Sequence, residues 1–219
     1  MEAMKIGVLG TGMVGQVIGS KLVGLGHEVK MGSRTASNEK AVAWAKEAGE
    51  RASFGTYAAA AEFGGILFNC TSGRGTLPAL NAAGASLLRD KILIDVSNPL
   101  DFSRGMPPSL FTPSGDSLGE EIQRAFPTTR VVKALNTMTC TVMVDPGKVG
   151  AGDHEVFVCG NDVSAKTKVT SILRDWFGWQ RISDFGDITG ARALEAYVLF
   201  WVRAWGALGT AKFNVRFIR

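Results

Sequence analysis

Histidine and cysteine are scarce in this 219-residue chain, which has two of the first and three of the second. His27 and His154 each fall just before or at the start of a predicted strand and read as structural, so no catalytic histidine is on offer. Cys70, Cys140 and Cys159 have no metal-ligand spacing, which argues against a zinc module. Their apolar or site-like surroundings fit a reducing, cytoplasmic compartment better than a disulfide framework. Long apolar runs are missing too: Ala196–Val202, the longest near the C-terminus, is far too short to span a bilayer. The first predicted strand begins by Lys5, leaving no room for a signal or transit peptide. There is no Lys/Arg run, and a formal net charge of +4 needs only a small polyanionic ligand, not nucleic acid. No internal repeat or low-complexity tract is visible.

What is present suits one good core: 46% hydrophobic residues, 20% charged residues and a mean hydropathy of +0.12. The most informative stretch is Lys5–Arg34. A short apolar run, Lys5–Leu9, leads into Gly10-Thr11-Gly12-Met13-Val14-Gly15 and then a helix pattern. A lone G-x-G-x-x-G is weak, since 27 glycines in 219 residues give about 0.4 chance matches. Context strengthens it, because the triplet follows a strand, opens a helix and precedes the end of a second strand by about twenty residues. Gly10 permits the tight turn, Gly12 close approach to a pyrophosphate, and Gly15 close helix–strand packing. The phosphates would meet free N–H groups around Met13 and Val14. The second strand ends in Gly32-Ser33-Arg34 rather than Asp or Glu. A carboxylate there would repel a 2′-phosphate, whereas a hydroxyl and a guanidinium bind one. A charged hydrogen bond is worth roughly 1.5–3 kcal/mol, so Arg34 alone could set about a 10- to 150-fold preference for NADP. Asn38 is grouped with the cofactor-binding residues.

The rest of the chain alternates. Helices are predicted at Asn38–Ala48, Thr56–Glu62 and Leu77–Leu88, and strands around Ala52–Phe54, Gly65–Cys70 and Lys91–Val96. Such alternation argues for an α/β, Rossmann-type doubly wound and mainly parallel sheet, with ligands beyond the carboxyl ends of its strands. That rule draws Thr71, Ser72, Asn98 and Pro99 toward the nucleotide, although Ser, Asn and Pro also favour plain turns. Asp101–Gly115, rich in proline, is predicted as a loop long enough for a lid or for crossing to a neighbouring subunit. Ser117 with Glu120 makes a capping box for a helix to Ala125. A strand at Arg130–Leu135, another at His154–Cys159, a helix at Asp162–Trp176 and a short strand at Gln180–Ser183 follow. Thr189–Gly209 reads as a final helix whose stripe of Leu194, Tyr197, Val198, Trp201, Val202 and Trp205 suits core or a dimer interface. The expected organisation is an NADP-binding domain over residues 1–185 and a C-terminal helical segment over 186–219.

These residues resemble the NADP oxidoreductases related to coenzyme F420-dependent NADP reductase. The likeness rests on the glycine turn, Gly32-Ser33-Arg34, Asp95–Leu100, Lys133–Met138, Val158–Asp162, Phe177-Gly178-Trp179, Ala191–Glu195 and Phe213–Arg216. The resemblance implies hydride transfer between NADP(H) and a deazaflavin, coenzyme F420, stacked on the nicotinamide in a cleft closed by the C-terminal piece. That chemistry needs two rings held face to face and no general acid or nucleophile. It also implies Asn136, Thr137 and Met138 at the ring-stacking site, Asn98 and Pro99 beside the nicotinamide, and the helix near Trp201–Leu208 over the second cofactor. Arg74, Lys133 or Arg104 would meet that cofactor's acidic tail. Reduction of a free flavin or another small acceptor remains open, as does a non-catalytic NADP(H) sensor. A homodimer with small-molecule cofactors, and neither nucleic acid nor membrane, is the expected assembly.

Overall fold

In the first strand, β1 (Lys5–Leu9), alternation sorts the side chains onto the two faces of the sheet. Ile6 and Val8 join one apolar cluster with Ile18 and Trp44, while Leu9 joins another with Ala60 and Leu80. All three β1 side chains are fully buried, each worth roughly 1.5–3 kcal/mol over exposure. The computed structural model describes residues 2–218. From β1 the chain runs through α1 (Met13–Gly24), β2 (Glu28–Ser33), α2 (Glu39–Ala48), β3 (Ala52–Thr56), α3 (Tyr57–Phe63) and β4 (Ile66–Asn69). It continues as α4 (Gly73–Ala83), α5 (Ala85–Leu88), β5 (Ile92–Asp95) and a small antiparallel hairpin, β6 (Leu100–Asp101) with β7 (Ser109–Leu110). Then come α6 (Leu118–Ala125), β8 (Arg130–Ala134), α7 (Cys140–Met143), β9 (Glu155–Cys159), α8 (Val163–Asp175), β10 (Arg181–Asp184) and α9 (Ala191–Leu208).

The eight-stranded sheet has the order β10-β9-β8-β5-β4-β1-β2-β3. Every neighbouring pair is parallel except β8 with β9. This is a doubly wound α/β fold; its two largest apolar clusters lie on opposite faces, and a third, of Phe157, Cys159, Ala191 and Leu194, joins β9 to α9. The helix predicted at Leu77–Leu88 begins earlier, at Gly73, and breaks at Gly84 into α4 and α5. The proline-rich stretch predicted as loop carries the β6–β7 hairpin. Helix starts follow local chemistry. Asn38 caps α2, Thr56 caps α3, Asp162 caps α8, and the Ser117 hydroxyl caps α6 by accepting from the Glu120 N–H. The expected box stays half-made, because Glu120 accepts from that hydroxyl while the Ser117 N–H donates to Asp116. Among the described residues no helix is long and apolar enough to cross a membrane.

Helix α9 splits its apolar stripe. Leu194, Val198 and Val202 are buried, whereas Phe200, Trp205 and Leu208 are exposed. The chain then folds back along it: Phe213 stacks on Trp201, and the Glu155 N–H donates to the Val215 carbonyl at 2.9 Å. His154, buried beneath this tail, pairs through Nε2 with the Pro146 carbonyl and through Nδ1 with Asn214, as befits a structural histidine.

An ion triad ties the strand ends together. Lys133 on β8 is fully buried and spends its ammonium donors on Asp95 Oδ2 (2.7 Å), the Ser97 carbonyl (2.6 Å) and Glu195 Oε1 (2.7 Å). Asp95 Oδ1 accepts from Asn69 Nδ2 and the Ser97 hydroxyl, each at 2.7 Å. Glu195 accepts from the Leu118 and Gly119 backbone N–H groups at the start of α6, at 2.8 and 3.0 Å. Arg192 grips Glu120 through two nitrogens beside it. Burial alone would lower the Lys133 pKa, but Asp95 and Glu195 more than reverse this and push it up to about 12. Lys133→Met strands two buried carboxylates, and a loss of about 3–5 kcal/mol is expected from denaturant unfolding. A loss within the range of an exposed pair, below about 1 kcal/mol, would show that the triad does not hold the strand ends. Because the folded pKa is raised, the lysine's contribution is complete below pH 10.5 and disappears as the pH climbs through about 12.

Candidate functional site

Strand order reverses between β1 and β4, since the chain first builds outward through β2 and β3 and then returns to build through β4 and β5. Above that point, at the carboxyl ends of the strands, lie two cavities of about 610 and 540 Å³. Cys70, Thr71 and Ser72 line both, so the two form one cleft. The larger is walled by Gly10, Thr11, Gly12, Arg34 and Tyr57 on the β1–β2 side. The smaller is walled by Val14, Val96, Ser97 and Asn98 on the β4–β5 side, with Arg74 and the β6–β7 hairpin at its mouth.

Each glycine of the turn has a different reason for being there. Gly10 has φ +117°, and its N–H donates to the Gly32 carbonyl at 3.0 Å, holding the turn against β2. A Cβ on buried Gly15 would stand 2.2 Å from the Gly10 carbonyl oxygen. Gly12 differs: its φ of −76° is open to any residue, and a Cβ there would meet nothing within 4 Å. The fold makes no demand for glycine at 12, whereas a ligand approaching the backbone would. Gly12 is the N-cap of α1, with no side-chain cap and no acid in the first turn. Helix α4 also starts uncapped at Ser72, on the same cleft. Two long helices therefore present unclaimed N-terminal dipoles to one space, an arrangement suited to phosphate.

Arg34 is exposed at the end of β2 and, among the described residues, forms no ion pair. Half-buried Tyr57 lies close enough to feel its charge: burial raises the phenol's pKa and the guanidinium opposes the rise. Sequence reasoning missed Tyr57, although an aromatic just past β3, the strand beside β2, was the available signal. Ser33 is buried, and its hydroxyl donates to the Thr35 carbonyl at 2.5 Å. Asn38 spends its Oδ1 on the Lys40 and Ala41 N–H groups and lines neither cavity. Exposed Met13 opens α1.

On the other side, the Thr71 hydroxyl donates to Asn69 Oδ1 at 2.7 Å, which joins the cleft wall to the ion triad. Asn98 lines the smaller cavity with its amide fixed by a reciprocal pair: Nδ2 donates to the Asn136 carbonyl, and Oδ1 accepts from Asn136 Nδ2. Pro99 is buried behind it and Pro99 O accepts from the Phe111 N–H. Asn136, Thr137 and Met138 are buried and line neither cavity. Their turn is pinned by Leu135 at φ +65° and by the Asn136 bonds to Asn98 and the Leu194 carbonyl, so in this conformation Asn136 reaches the cleft only through Asn98. Of the cations considered for an acidic tail, Lys133 is excluded by its burial between two carboxylates. Arg104 lies exposed in the hairpin, and Arg74 faces the smaller cavity, paired with Asp101 at 3.0 Å and set over the Phe111 ring.

Fold and cleft together define a Rossmann-type dinucleotide-binding protein. The family described as coenzyme F420-dependent NADP oxidoreductase matches residues 5–99. A crystal structure from Arthrobacter sp. FB24, provisionally assigned as an F420-dependent NADP-reductase, is 47% identical, covers 99% of this chain and 100% of its own, and superposes with a TM-score of 0.95. The chain belongs to this family and is an NADP-dependent oxidoreductase. Metalloreductase STEAP3 of Rattus norvegicus is 29% identical over 93% of this chain, which spans only 38% of that protein's length. The reductive aminase of Aspergillus terreus, solved with NADPH and ethyl levulinate, is 18% identical over 95% of this chain and 63% of its own, with a TM-score of 0.65, and shares the fold alone.

The contrast between two glycines can be measured on the protein without any ligand. Gly15→Val should lose at least about 2 kcal/mol of stability, since backbone must move. Gly12→Val should stay within about 1 kcal/mol of the parent. Equal losses in thermal unfolding would mean that Gly12 is also a folding requirement.

Proposed function

We propose that the cleft binds NADP(H) along its whole length and that the protein passes hydride between NADP(H) and coenzyme F420. The observation that carries the nucleotide reading is the open approach at Gly12 beneath the uncapped start of α1, with unpaired Arg34 beyond it. In this reading the N–H groups of Met13 and Val14 take the diphosphate, Arg34 takes the 2′-phosphate, and Ser33 shapes the turn that presents Arg34. Thr71, Ser72 and Asn98 face the nicotinamide half. When bound, NADPH supplies a hydride to a partner ring. The chain's own residues orient the nucleotide, exclude water and hold the Asn98 amide still through Asn136, so no protonating side chain is required.

The F420 acceptor is supported by the 47% identity to the Arthrobacter protein over the full chain. A deazaflavin would enter the smaller cavity beside Arg74. No described residue of the helical segment 186–219, Trp201–Leu208 included, lines that cavity, so the segment would cover the second cofactor only after a shift toward the cleft. Thr137 and Met138 would meet it only after the turn that buries them shifts. The 29% identity to a metalloreductase favours a second reading, in which the acceptor is a flavin or another small redox partner. A homodimer is supported by the exposed Phe200, Trp205 and Leu208 of α9, of which Phe200 lines an apolar groove of about 530 Å³. The buried free thiols suit a reducing, cytoplasmic setting.

Arg34→Glu is expected to weaken NADPH by at least about 10- to 150-fold and NADH far less. Calorimetric titration decides the point, and equal weakening of the two would remove Arg34 from the 2′-phosphate. For the acceptor, protein mixed with NADP+ and reduced F420 should restore the visible absorbance of the deazaflavin. Turnover with flavin alone would support the second reading, and NADPH binding without turnover on any acceptor would point to a sensor.

A further inference from the structure

The smaller cavity is bordered by charges that do not cancel. At its mouth Arg74 and Asp101 neutralise each other. Behind Ser97 and Asn98 stand two carboxylates and one ammonium. Every polar contact on the Asp95 and Glu195 carboxylates is with a donor: the Asn69 amide, the Ser97 N–H and hydroxyl, the Leu118 and Gly119 N–H groups, and Lys133. No contact needs a proton on either acid, so both are carboxylates and the triad carries net charge −1. The start of α6 offsets about half a unit of this at Glu195. Asp95, Lys133 and Glu195 are at most 1% exposed, so water and salt screen the remainder poorly. Ser97 couples it to the cleft: its hydroxyl bonds Asp95 at 2.7 Å, its carbonyl bonds Lys133 at 2.6 Å, and the residue lines the cavity.

We propose that the Asp95–Lys133–Glu195 triad is a positioning element whose excess negative charge favours the oxidised, cationic nicotinamide over the neutral reduced ring at the Ser97–Asn98 end of the cleft. The inference rests on the reading that the nicotinamide half lies there. A device that only braced the strands would act on both redox forms alike. This one acts on their ratio, and so on the direction in which the bound nucleotide gives or takes hydride.

The test is titration of NADP+ and NADPH against the parent protein, Glu195→Gln and Glu195→Asp. Removing the charge in Glu195→Gln should weaken NADP+ by about 3- to 10-fold while NADPH changes by less than about twofold. Glu195→Asp, which keeps the charge, should keep the parent's ratio even if it unfolds at a lower temperature. Should Glu195→Gln fail to fold, Asp95→Asn removes the same charge from the other arm and must move the ratio the same way. On the unaltered protein, NADP+ should gain more than NADPH over 2′-phospho-ADP-ribose, which lacks the nicotinamide ring. Equal changes for both nucleotides, an unmoved ratio in the neutralised variants, or the reverse order against 2′-phospho-ADP-ribose would overturn the inference. A parent protein that bound neither nucleotide would instead overturn the reading of the cleft.

Discussion

A fully buried ammonium with all its donors spent is the constraint on which this molecule turns. Lys133 draws Asp95 from β5, the Ser97 carbonyl from the turn after β5, and Glu195 from α9 to one point. Desolvating three charges costs several kcal/mol per ion, repaid only when geometry and further hydrogen bonds are good. Here each of the four carboxylate oxygens accepts at least one hydrogen bond, from Lys133, Asn69, Ser97 or the start of α6. An arrangement that expensive tolerates little slack. The strand ends that build the cleft are therefore held by the same contacts that dock the C-terminal helix.

That coupling ties the C-terminal segment to the walls of the cleft, although none of its described residues lines either cavity. Asn136 bonds the Leu194 carbonyl on one side and Asn98 on the other, and Glu195 follows one residue later on α9. A displacement of the first turns of α9 must pass to Asn98 and Ser97 through these bonds. The second half of the helix, beyond Val202, carries no such load and leaves Trp205 and Leu208 exposed. One helix thus braces the cleft with its first half and offers an apolar surface with its second.

Local features were legible in the sequence, and long-range ones were not. The strand–glycine turn–helix at Lys5–Gly24 follows from neighbouring residues, as do the Ser117 N-cap and the parallel alternation. Ser33 and Asn38 show where local reading fails: a hydroxyl or amide beside a phosphate-binding turn is spent just as readily on a backbone turn or a helix cap. The start of α4 was placed too late because Gly73-Arg74-Gly75 has poor helix propensity, and tertiary packing overrides it. The triad was invisible because Asp95, Lys133 and Glu195 are far apart in the chain and each looks like a surface charge. Lys133 therefore stood beside Arg74 and Arg104 as one of three candidates for an acidic tail. The hint was its setting, one charge inside Val131–Ala134, where a strand buried on both faces has no solvent to receive it.

Three segments on which the family resemblance rests, Asp95–Leu100, Lys133–Met138 and Ala191–Glu195, are the ones that meet in the triad. Family likeness in this chain is therefore concentrated in the apparatus that holds the cleft as well as in residues that line it. The electrostatics give that concentration a purpose. Arg34 puts unpaired positive charge at the β2 end of the cleft, and the triad puts uncompensated negative charge behind the β5 end. A nucleotide with an extra phosphate at one end and a ring that becomes cationic on oxidation at the other is matched to that gradient in one orientation only. The distal charge also changes in value to the ligand when the ring is oxidised. A fold that fixed the cleft by apolar packing alone would bind the same outline without that sensitivity to redox state.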